Sequence, residues 1–138
     1  MKLSTKMRYG TRALLELATS YGEGELTLAE IAGAQDLPPK YLESLLTSLR
    51  AAGFVRAQRG PGGGYALARP PEEITLREVF DALEGPDPYV ACTEDVKTCP
   101  RRGDCVTRGV WAAMYRASMQ VLEALTLAGL TRRSPEAD

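Results

Sequence analysis

Four glycines fall within five residues in the segment 59–64, Arg-Gly-Pro-Gly-Gly-Gly, near the middle of the 138-residue chain. Glycine adopts positive φ without strain and lets the backbone approach a partner closely, so such a segment suits the tip of a tight connection. Two short runs with strand-like composition flank it, 54–58 and 65–68. The pattern predicts a β-hairpin with a flexible, basic tip, and this hairpin restricts how the helices around it can be arranged.

Three helices are predicted before the hairpin. Apolar residues recur at helical spacing from 6 to 21. Thr27-Leu-Ala-Glu30 has the form of a capping box, which predicts a short helix from 28 to about 34. A third helix is expected to begin at Pro38-Pro39 and to end before Gly53. Its apolar face consists of Leu42, Leu45, Leu46 and Leu49.

Two further helices are predicted after the hairpin. Thr75-Leu-Arg-Glu78 is a second capping box and opens a helix that ends near Glu84. From 106 to 130, apolar and small side chains recur in steps of three and four, the spacing of a long helix that packs against another helix. Such a seam exceeds what a small domain covers, so we expect it to join two copies of the chain. The expected interface residues are Trp111, Met114, Ser118, Val121 and Leu125.

The order of these elements defines the predicted fold, which is mainly α with a small β-hairpin. It is a winged helix-turn-helix followed by a long dimerisation helix. Four segments are expected: a DNA-binding domain over 1–85, a cysteine-rich sensor loop over 86–105, the dimerisation helix over 106–130 and a polar tail over 131–138.

In a winged helix-turn-helix, one helix of the motif lies in the major groove of DNA, and here that is the third helix. Arg59 at the hairpin tip can enter a narrow minor groove, and the glycines beside it let main-chain amides reach phosphates. Glu43 can accept a hydrogen bond from a cytosine amino group. The expected DNA-binding residues are Lys2, Ser4, Thr27, Lys40, Tyr41, Glu43, Ser44, Arg50, Arg59, Gly60, Gly62, Gly63 and Tyr65.

All three cysteines of the chain lie in one polar segment, at Cys92, Cys99 and Cys105. The residues between them belong in a solvated loop rather than in a core. An odd number of thiols cannot be paired fully within one chain, and three thiolates from one loop can hold an iron–sulfur or zinc centre. The competing interpretation is a surface loop with regulatory thiols that switch by disulfide formation.

The net charge of −1 conceals an asymmetry between the two halves of the chain. Residues 1–70 carry nine Lys and Arg against six Asp and Glu, whereas residues 71–138 carry eight against twelve. A basic half joined to an acidic half is one pattern of a nucleic-acid surface attached to another module. Because neither a secretory signal nor a membrane-spanning apolar run is visible, we expect a cytoplasmic protein without a membrane partner.

Four features along nearly the whole chain together resemble a known family. They are the opening Met1-Lys-Leu-Ser-Thr-Lys-Met-Arg-Tyr9, the triplet Tyr41-Leu-Glu43, the wing segment 59–65 and the cysteine loop before a tryptophan-bearing helix. The family is the IscR, CymR and NsrR group of bacterial winged-helix regulators, the Rrf-two superfamily. The resemblance implies a homodimer that binds pseudo-palindromic operator DNA. It also implies, as in several members, an iron–sulfur cluster whose state sets the affinity for DNA.

The cysteine loop departs from the IscR branch, in which five residues separate successive cysteines and a histidine follows three positions after the last. Here the first gap has six residues, Arg108 stands at the histidine position, and the chain has no histidine. Other relatives take a carboxylate from the partner's first helix, where this chain has Arg8 and Arg12 before its first acid, Glu16. The candidates left for a fourth ligand are an exogenous ligand or a loop carboxylate from Glu94, Asp95 or Asp104.

A cluster with such a weakly held fourth site, [2Fe-2S] or [4Fe-4S], is expected to be labile, so that aerobic preparations lack it. The sequence thus predicts a homodimeric, sequence-specific transcription regulator that senses iron–sulfur, redox or nitrosative status through its three cysteines. The alternative is a cluster-free winged-helix regulator that acts by cysteine oxidation or by binding a metabolic enzyme as partner.

Proteins of other classes fit less well. A small electron carrier or metal-trafficking protein explains the cysteines but leaves the helix-turn-helix and the wing without a purpose. An enzyme is not expected, because the chain lacks histidine and any nucleophile motif such as G-x-S-x-G.

Overall fold

The computed structural model describes residues 2–85, 100–101 and 103–133. Six α-helices, a two-stranded antiparallel hairpin and one 3-10 turn make up this part of the chain, which confirms the predicted fold class. In chain order the elements are α1 (Thr5–Thr19), α2 (Leu28–Gln35), α3 (Pro39–Ala51), β1 (Val55–Gln58), β2 (Gly64–Leu67), the 3-10 turn Pro71–Glu73, α4 (Leu76–Leu83), α5 (Val106–Glu123) and α6 (Leu127–Thr131).

The two capping boxes form as predicted. The Thr27 hydroxyl accepts a hydrogen bond from the Glu30 amide at 3.1 Å, and the Glu30 carboxylate accepts one from the Thr27 amide at 2.9 Å. Thr75 and Glu78 make the same reciprocal pair at the start of α4. Each box satisfies two amides that a helix start otherwise leaves without an intrahelical partner. The starts of α2 and α4 therefore lie where the capping boxes predict them.

Helix α3 buries the apolar face that its sequence predicts. Leu42, Leu45, Leu46 and Leu49 are at most 2% exposed and join the central core. Around them pack α1, α2 and β1. Because these leucines hold one side of α3 inward, the opposite side of the helix faces solvent.

The hairpin strands pair in register from Val55 with Leu67 to Gln58 with Gly64, within one residue of the predicted ends. Leu26 extends this sheet through two main-chain hydrogen bonds with Tyr65, of 2.8 and 2.7 Å. A Cβ at Gly64 would lie 2.4 Å from the Leu26 carbonyl oxygen, so only glycine allows this close approach. The wing is thereby fastened to the segment just before α2.

The long helix predicted over 106–130 is interrupted, which corrects that prediction. Helix α5 ends at Glu123, and Thr126 caps the separate helix α6 by accepting a hydrogen bond from the Gly129 amide at 3.0 Å. Between them, Leu125 O accepts from the Leu76 amide at 2.8 Å. The Leu127 amide donates to the Ile74 carbonyl at 3.0 Å. The chain leaves the helical path because these bonds and the burial of Leu127 tie it to the segment before α4.

One core joins all of these elements. Leu127 is fully buried in it, and α6 packs against α1 and the 3-10 turn. Met119 is the one buried residue among the described side chains of α5. No helix within the described ranges is long and apolar enough to cross a membrane. The division of the chain into four functional segments stays a prediction.

Candidate nucleic-acid interface and cysteine site

The solvent-facing side of α3 carries polar side chains along its whole length. The exposed residues that the sequence predicted for this face are Lys40, Tyr41, Glu43, Ser44 and Arg50. Pro38 offers no side-chain cap, and Pro39 occupies the first turn. The start of α3 therefore presents amide groups to solvent, and such a helix end favours a negatively charged partner.

A groove of about 430 Å³ separates α3, from Glu43 to Arg50, from the wing. It brings together four predicted residues, and they are Glu43, Arg50, Arg59 and Tyr65. Thr47, Ala57, Gln58 and Gly64 line the same groove but were not in the predicted set. Thr47 could have been found from the four-residue step after Glu43, whereas Gln58 and Ala57 enter only through the placement of the hairpin.

The wing tip places Arg59 in solvent beside main chain that only glycine adopts easily. Gly60 and Gly62 have φ of 94° and 76°, in the left-handed region. The Gly63 amide donates to the Gly60 carbonyl at 3.0 Å and closes the turn. A Cβ at Gly63 would meet the Gln58 carbonyl oxygen at 2.2 Å. The tip is therefore narrow and free of bulky side chains apart from Arg59 and Pro61.

The predicted DNA-binding residues outside α3 and the wing differ in exposure and in the hydrogen bonds that they make within the protein. Lys2 and Thr27 are exposed. Ser4 is half-buried: its hydroxyl donates to the Glu84 carboxylate and accepts from the Met7 amide at 3.1 Å, and its own amide donates to Glu84 at 2.9 Å. The structure thus uses Ser4 to cap α1, and any contact of Ser4 with DNA competes with that role.

Cys105 is the one predicted metal ligand within the described ranges, since Cys92 and Cys99 lie outside them. It is the N-cap residue of α5 and is partly exposed. A hydrogen bond with the Thr107 hydroxyl at 3.3 Å is the main cause that lowers the pKa of the Cys105 thiol. The amides of Arg108 and Thr107 and the charge of Arg101 lower this pKa further. Such an environment favours the thiolate, the form that binds metals and attacks oxidants.

Within the described ranges, no group of three Cys, Asp, Glu or His side chains is close enough to hold a metal ion. The predicted three-thiol set stays a prediction, because Cys92 and Cys99 lie outside these ranges. Asp104, one candidate for a fourth ligand, is exposed beside Cys105. Glu94 and Asp95 also lie outside the described ranges.

The lowered pKa of Cys105 leads to a pH-dependent prediction for metal-free protein in which Cys92 and Cys99 are serine. The alkylation rate of Cys105 by iodoacetamide should rise with pH through a midpoint below that of an ordinary thiol, because the thiolate is already favoured at lower pH. Thr107→Val should move the midpoint upward. The urea-unfolded protein is the control. A folded midpoint equal to the unfolded one would contradict this prediction.

The exposed side of α5 is an apolar stripe. Val110, Met114 and Val121 are 50%, 47% and 59% exposed, and Val106 precedes them at 86%. They recur in steps of four, four and seven, which keeps them on one face of the helix. Val106 and Val110 were missed in the sequence, although each lies four residues before the next member of the stripe.

The predicted interface residues fall in three different places. Met114 and Val121 lie on the stripe itself. Trp111, 36% exposed, and Ser118, half-buried, lie along its edge. Leu125 lies beyond the end of α5 and is a partly buried side chain that packs against the core, so it is not part of the stripe and its assignment to the interface stays a prediction. The break at Glu123 removes Leu125 from the helix that carries the stripe.

Known proteins match this chain over nearly its full length. The profile of the family Rrf2, described as "Iron-dependent Transcriptional regulator", matches residues 3–133. Protein rrf2 of Nitratidesulfovibrio vulgaris is 41% identical over 132 residues, which are 96% of this chain and 88% of that protein.

Two solved structures extend the agreement to the fold. CymR of B. subtilis, described as the global cysteine regulator of that organism, matches with a TM-score of 0.82 at 38% identity, covering 95% of this chain and 96% of CymR. T. potens IscR matches with a TM-score of 0.80 at 36% identity, covering 100% of this chain and 91% of that one. The chain therefore belongs to the Rrf2 family of transcriptional regulators.

Proposed function

We propose that this regulator is a homodimer that binds operator DNA through α3 and the wing, and that the state of its three cysteines sets its affinity for DNA. The groove between α3 and the wing carries the proposal. Arg50 and Arg59 supply positive charge along this groove, and Glu43 supplies a hydrogen-bond acceptor. Arginine suits phosphate and minor-groove contacts, and a carboxylate can accept from the cytosine amino group.

The two arms of this surface would perform different tasks. Lys40, Tyr41, Glu43 and Ser44 occupy the first turns of α3, the part of a helix-turn-helix that contacts base edges. Arg59 at the narrow wing tip would reach the minor groove, while Gly60, Gly62 and Gly63 would bring main chain close to phosphates. On this view α3 reads sequence and the wing adds affinity.

The apolar stripe on α5 supports a symmetric dimer. Isologous two-fold contacts bury the same patch on both chains, and a continuous row of exposed valine and methionine on one helix suits such a contact. A dimer would place two copies of α3 to read the two halves of a palindromic operator, about one helical turn of DNA apart. The dimerisation helix would thus set the separation of the two DNA-reading helices.

Cys105 supports the cysteine part of the proposal. Its thiolate is favoured by the Thr107 hydroxyl, two amides at the start of α5 and the nearby Arg101. These features suit a metal ligand, and we propose Cys92, Cys99 and Cys105 as the residues that would hold an iron–sulfur cluster. When bound, such a cluster supplies an iron centre that reacts with oxidants or nitric oxide.

A cluster-free regulator is the second candidate. The lowered pKa of the Cys105 thiol favours it, because the thiolate is the form that oxidants attack. In this version, oxidation of the thiols takes the place of the cluster. The metabolic-enzyme partner stays a prediction on which no described contact bears.

Arg59 provides the direct test of the DNA surface. DNA ligands would first be selected from a random-sequence pool with the wild-type protein. Arg59→Ala should then weaken binding of the selected operator by about 1–3 kcal/mol, or roughly 5- to 150-fold, because a charge-assisted contact is lost. A quantitative gel-shift measures the effect.

The matched control is Arg56→Ala on the same hairpin. Arg56 is ion-paired with Glu25 at 3.0 Å and does not line the groove, so its loss should leave operator binding nearly unchanged. Equal effects of the two substitutions, or no effect of Arg59→Ala, would exclude the wing tip from the interface. A wild-type protein that enriches no DNA sequence from the pool would contradict the proposed function itself.

A further inference from the structure

Side chains from α1 hold the turn between α2 and α3 at its first residue. Gln35 ends α2, and the Arg12 guanidinium donates to its main-chain carbonyl oxygen and, at 3.4 Å, to its side-chain oxygen. The Gln35 amide group in turn donates to the Glu16 carboxylate at 2.7 Å. Arg12 and Glu16 are four residues apart on α1, so both lie on one face of this helix and both form hydrogen bonds with Gln35.

The position of these contacts matters because the chain reverses direction immediately afterwards. The last carbonyl groups of a helix have no intrahelical partner, and a cation placed there also complements the helix dipole. Asp36 then adopts the left-handed conformation, with φ of 50° and ψ of 55°, and turns the chain toward α3. Arg12 therefore fixes the residue from which the turn starts.

The same arginine also reaches the other side of the turn. Its guanidinium lies over the Tyr9 ring, 5.5 Å from the ring centre. Tyr9 makes an edge-to-face contact with Tyr41, with ring centres 5.9 Å apart and planes at 75°. Tyr41 belongs to the first turn of α3. Aromatic pairs and cation–aromatic contacts of this geometry are attractive and directional.

We propose that Arg12 is a positioning residue that sets the orientation of α3 relative to α2, and through it the affinity for operator DNA, without touching DNA itself. The inference rests on the proposed DNA-binding function. Arg12 links the end of α2, through Gln35, to the start of α3, through Tyr9 and Tyr41. A shift of either contact would move the side chains that face the bases.

Arg8 offers a matched control on the same face of α1, one turn earlier. It is exposed, and its guanidinium contacts Thr5 of its own helix at 3.4 Å. Arg8→Met and Arg12→Met remove the same charge and keep a similar side-chain length. The two variants therefore separate loss of charge near the surface from loss of the contacts with Gln35 and Tyr9.

The first measurement is operator affinity as a function of salt, with DNA selected by the wild-type protein. Arg12→Met should weaken binding roughly 5- to 20-fold with an unchanged slope of log K against log[salt], because the number of neutralised phosphates stays the same. Arg12→Lys should recover part of the loss, since an ammonium group can still donate to the Gln35 carbonyl. A slope reduced by about 1 would identify Arg12 as a phosphate contact and overturn the proposal.

The second measurement needs no DNA. The Leu37 amide is bonded to the Ala32 carbonyl at 3.0 Å and the Leu42 amide to the Pro38 carbonyl at 2.9 Å, on either side of the turn. Hydrogen exchange at both amides should be several-fold faster in Arg12→Met than in Arg8→Met. Unchanged exchange would overturn the proposal.

A second variant and the combined outcomes separate the role of Arg12 from the proposed function. Should Arg12→Met not fold, Gln35→Ala removes the side-chain bridge between Arg12 and Glu16 and should give a smaller loss of affinity, again with an unchanged salt slope. If the wild-type protein selects no DNA, the proposed function fails and takes the affinity role of Arg12 with it. Faster exchange with unchanged operator affinity would instead leave the proposed function standing and refute the role of Arg12 alone.

Discussion

Replacing Met114 and Val121 together with glutamate is expected to convert the proposed dimer into a single chain of 15.0 kDa. Both side chains lie on the exposed stripe of α5, where neither contributes to the core of its own chain. In a two-fold contact each substitution would bury two carboxylates without partners. An uncompensated buried charge costs about 3–5 kcal/mol, so the dimer dissociation constant should rise by several orders of magnitude.

Multi-angle light scattering measures the mass. A gel-shift with an operator that has two half-sites measures the consequence for DNA binding. The double variant should lose cooperative binding yet keep the helical content of the wild-type protein. Gln120→Glu is the control, because Gln120 is exposed on the same helix but belongs to the groove beside α4 rather than to the stripe. A double variant that still sediments and scatters as a dimer would place the interface elsewhere.

Cys105→Ala is expected to abolish iron-dependent visible absorption after anaerobic reconstitution with iron and sulfide. A thiolate-bound cluster loses most of its stability with one ligand removed, and the pKa of Cys105 is lowered in a way that suits ligation. Cys92→Ala and Cys99→Ala should have the same effect. Iron and sulfide assays on the repurified protein provide the number of atoms bound per chain.

Val106→Ala is the matched control for this experiment. Val106 adjoins Cys105, is 86% exposed and carries no metal-binding atom, so its truncation should leave the fold and the iron content unchanged and affect at most the proposed dimer contact of the stripe. Binding of zinc without sulfide would point to a zinc centre at the same thiols. A wild-type protein that binds neither metal would refute the cluster and leave the thiol-switch regulator as the proposal.

Much of the fold follows from local signals in the sequence. Thr27 with Glu30 and Thr75 with Glu78 mark helix starts because the capping box is completed within four residues. The end of α5 at Glu123 cannot be predicted from such local signals. Leu125 continues the apolar spacing past Glu123, while the cause of the break, hydrogen bonds to the segment before α4, involves residues about fifty positions away in sequence.

Part of the candidate site is likewise predictable from local sequence, and part depends on contacts between distant elements. The polar face of α3 is predictable, because the four buried leucines fix which side faces outward. The membership of Gln58 in the groove and the contact of Tyr9 with Tyr41 depend on how the hairpin and α1 settle against α3. Periodicity within one element carries no information about such contacts. The sequence alone therefore does not indicate that Arg12 contacts Gln35 and Tyr9.

The burial of Leu127 bears on how the protein is made in the cell. Leu127, which is fully enclosed in the core, lies 76 positions after Ala51 at the end of α3. At ribosomal speeds of about 5–20 residues per second, roughly 4–15 s pass between the synthesis of these two points. During that interval the nascent chain holds an unfinished core with exposed leucines, a target for chaperones and proteases. Because Leu127 completes the core, we expect the helices of a newly made chain to become fully stable only after Leu127 has emerged and docked.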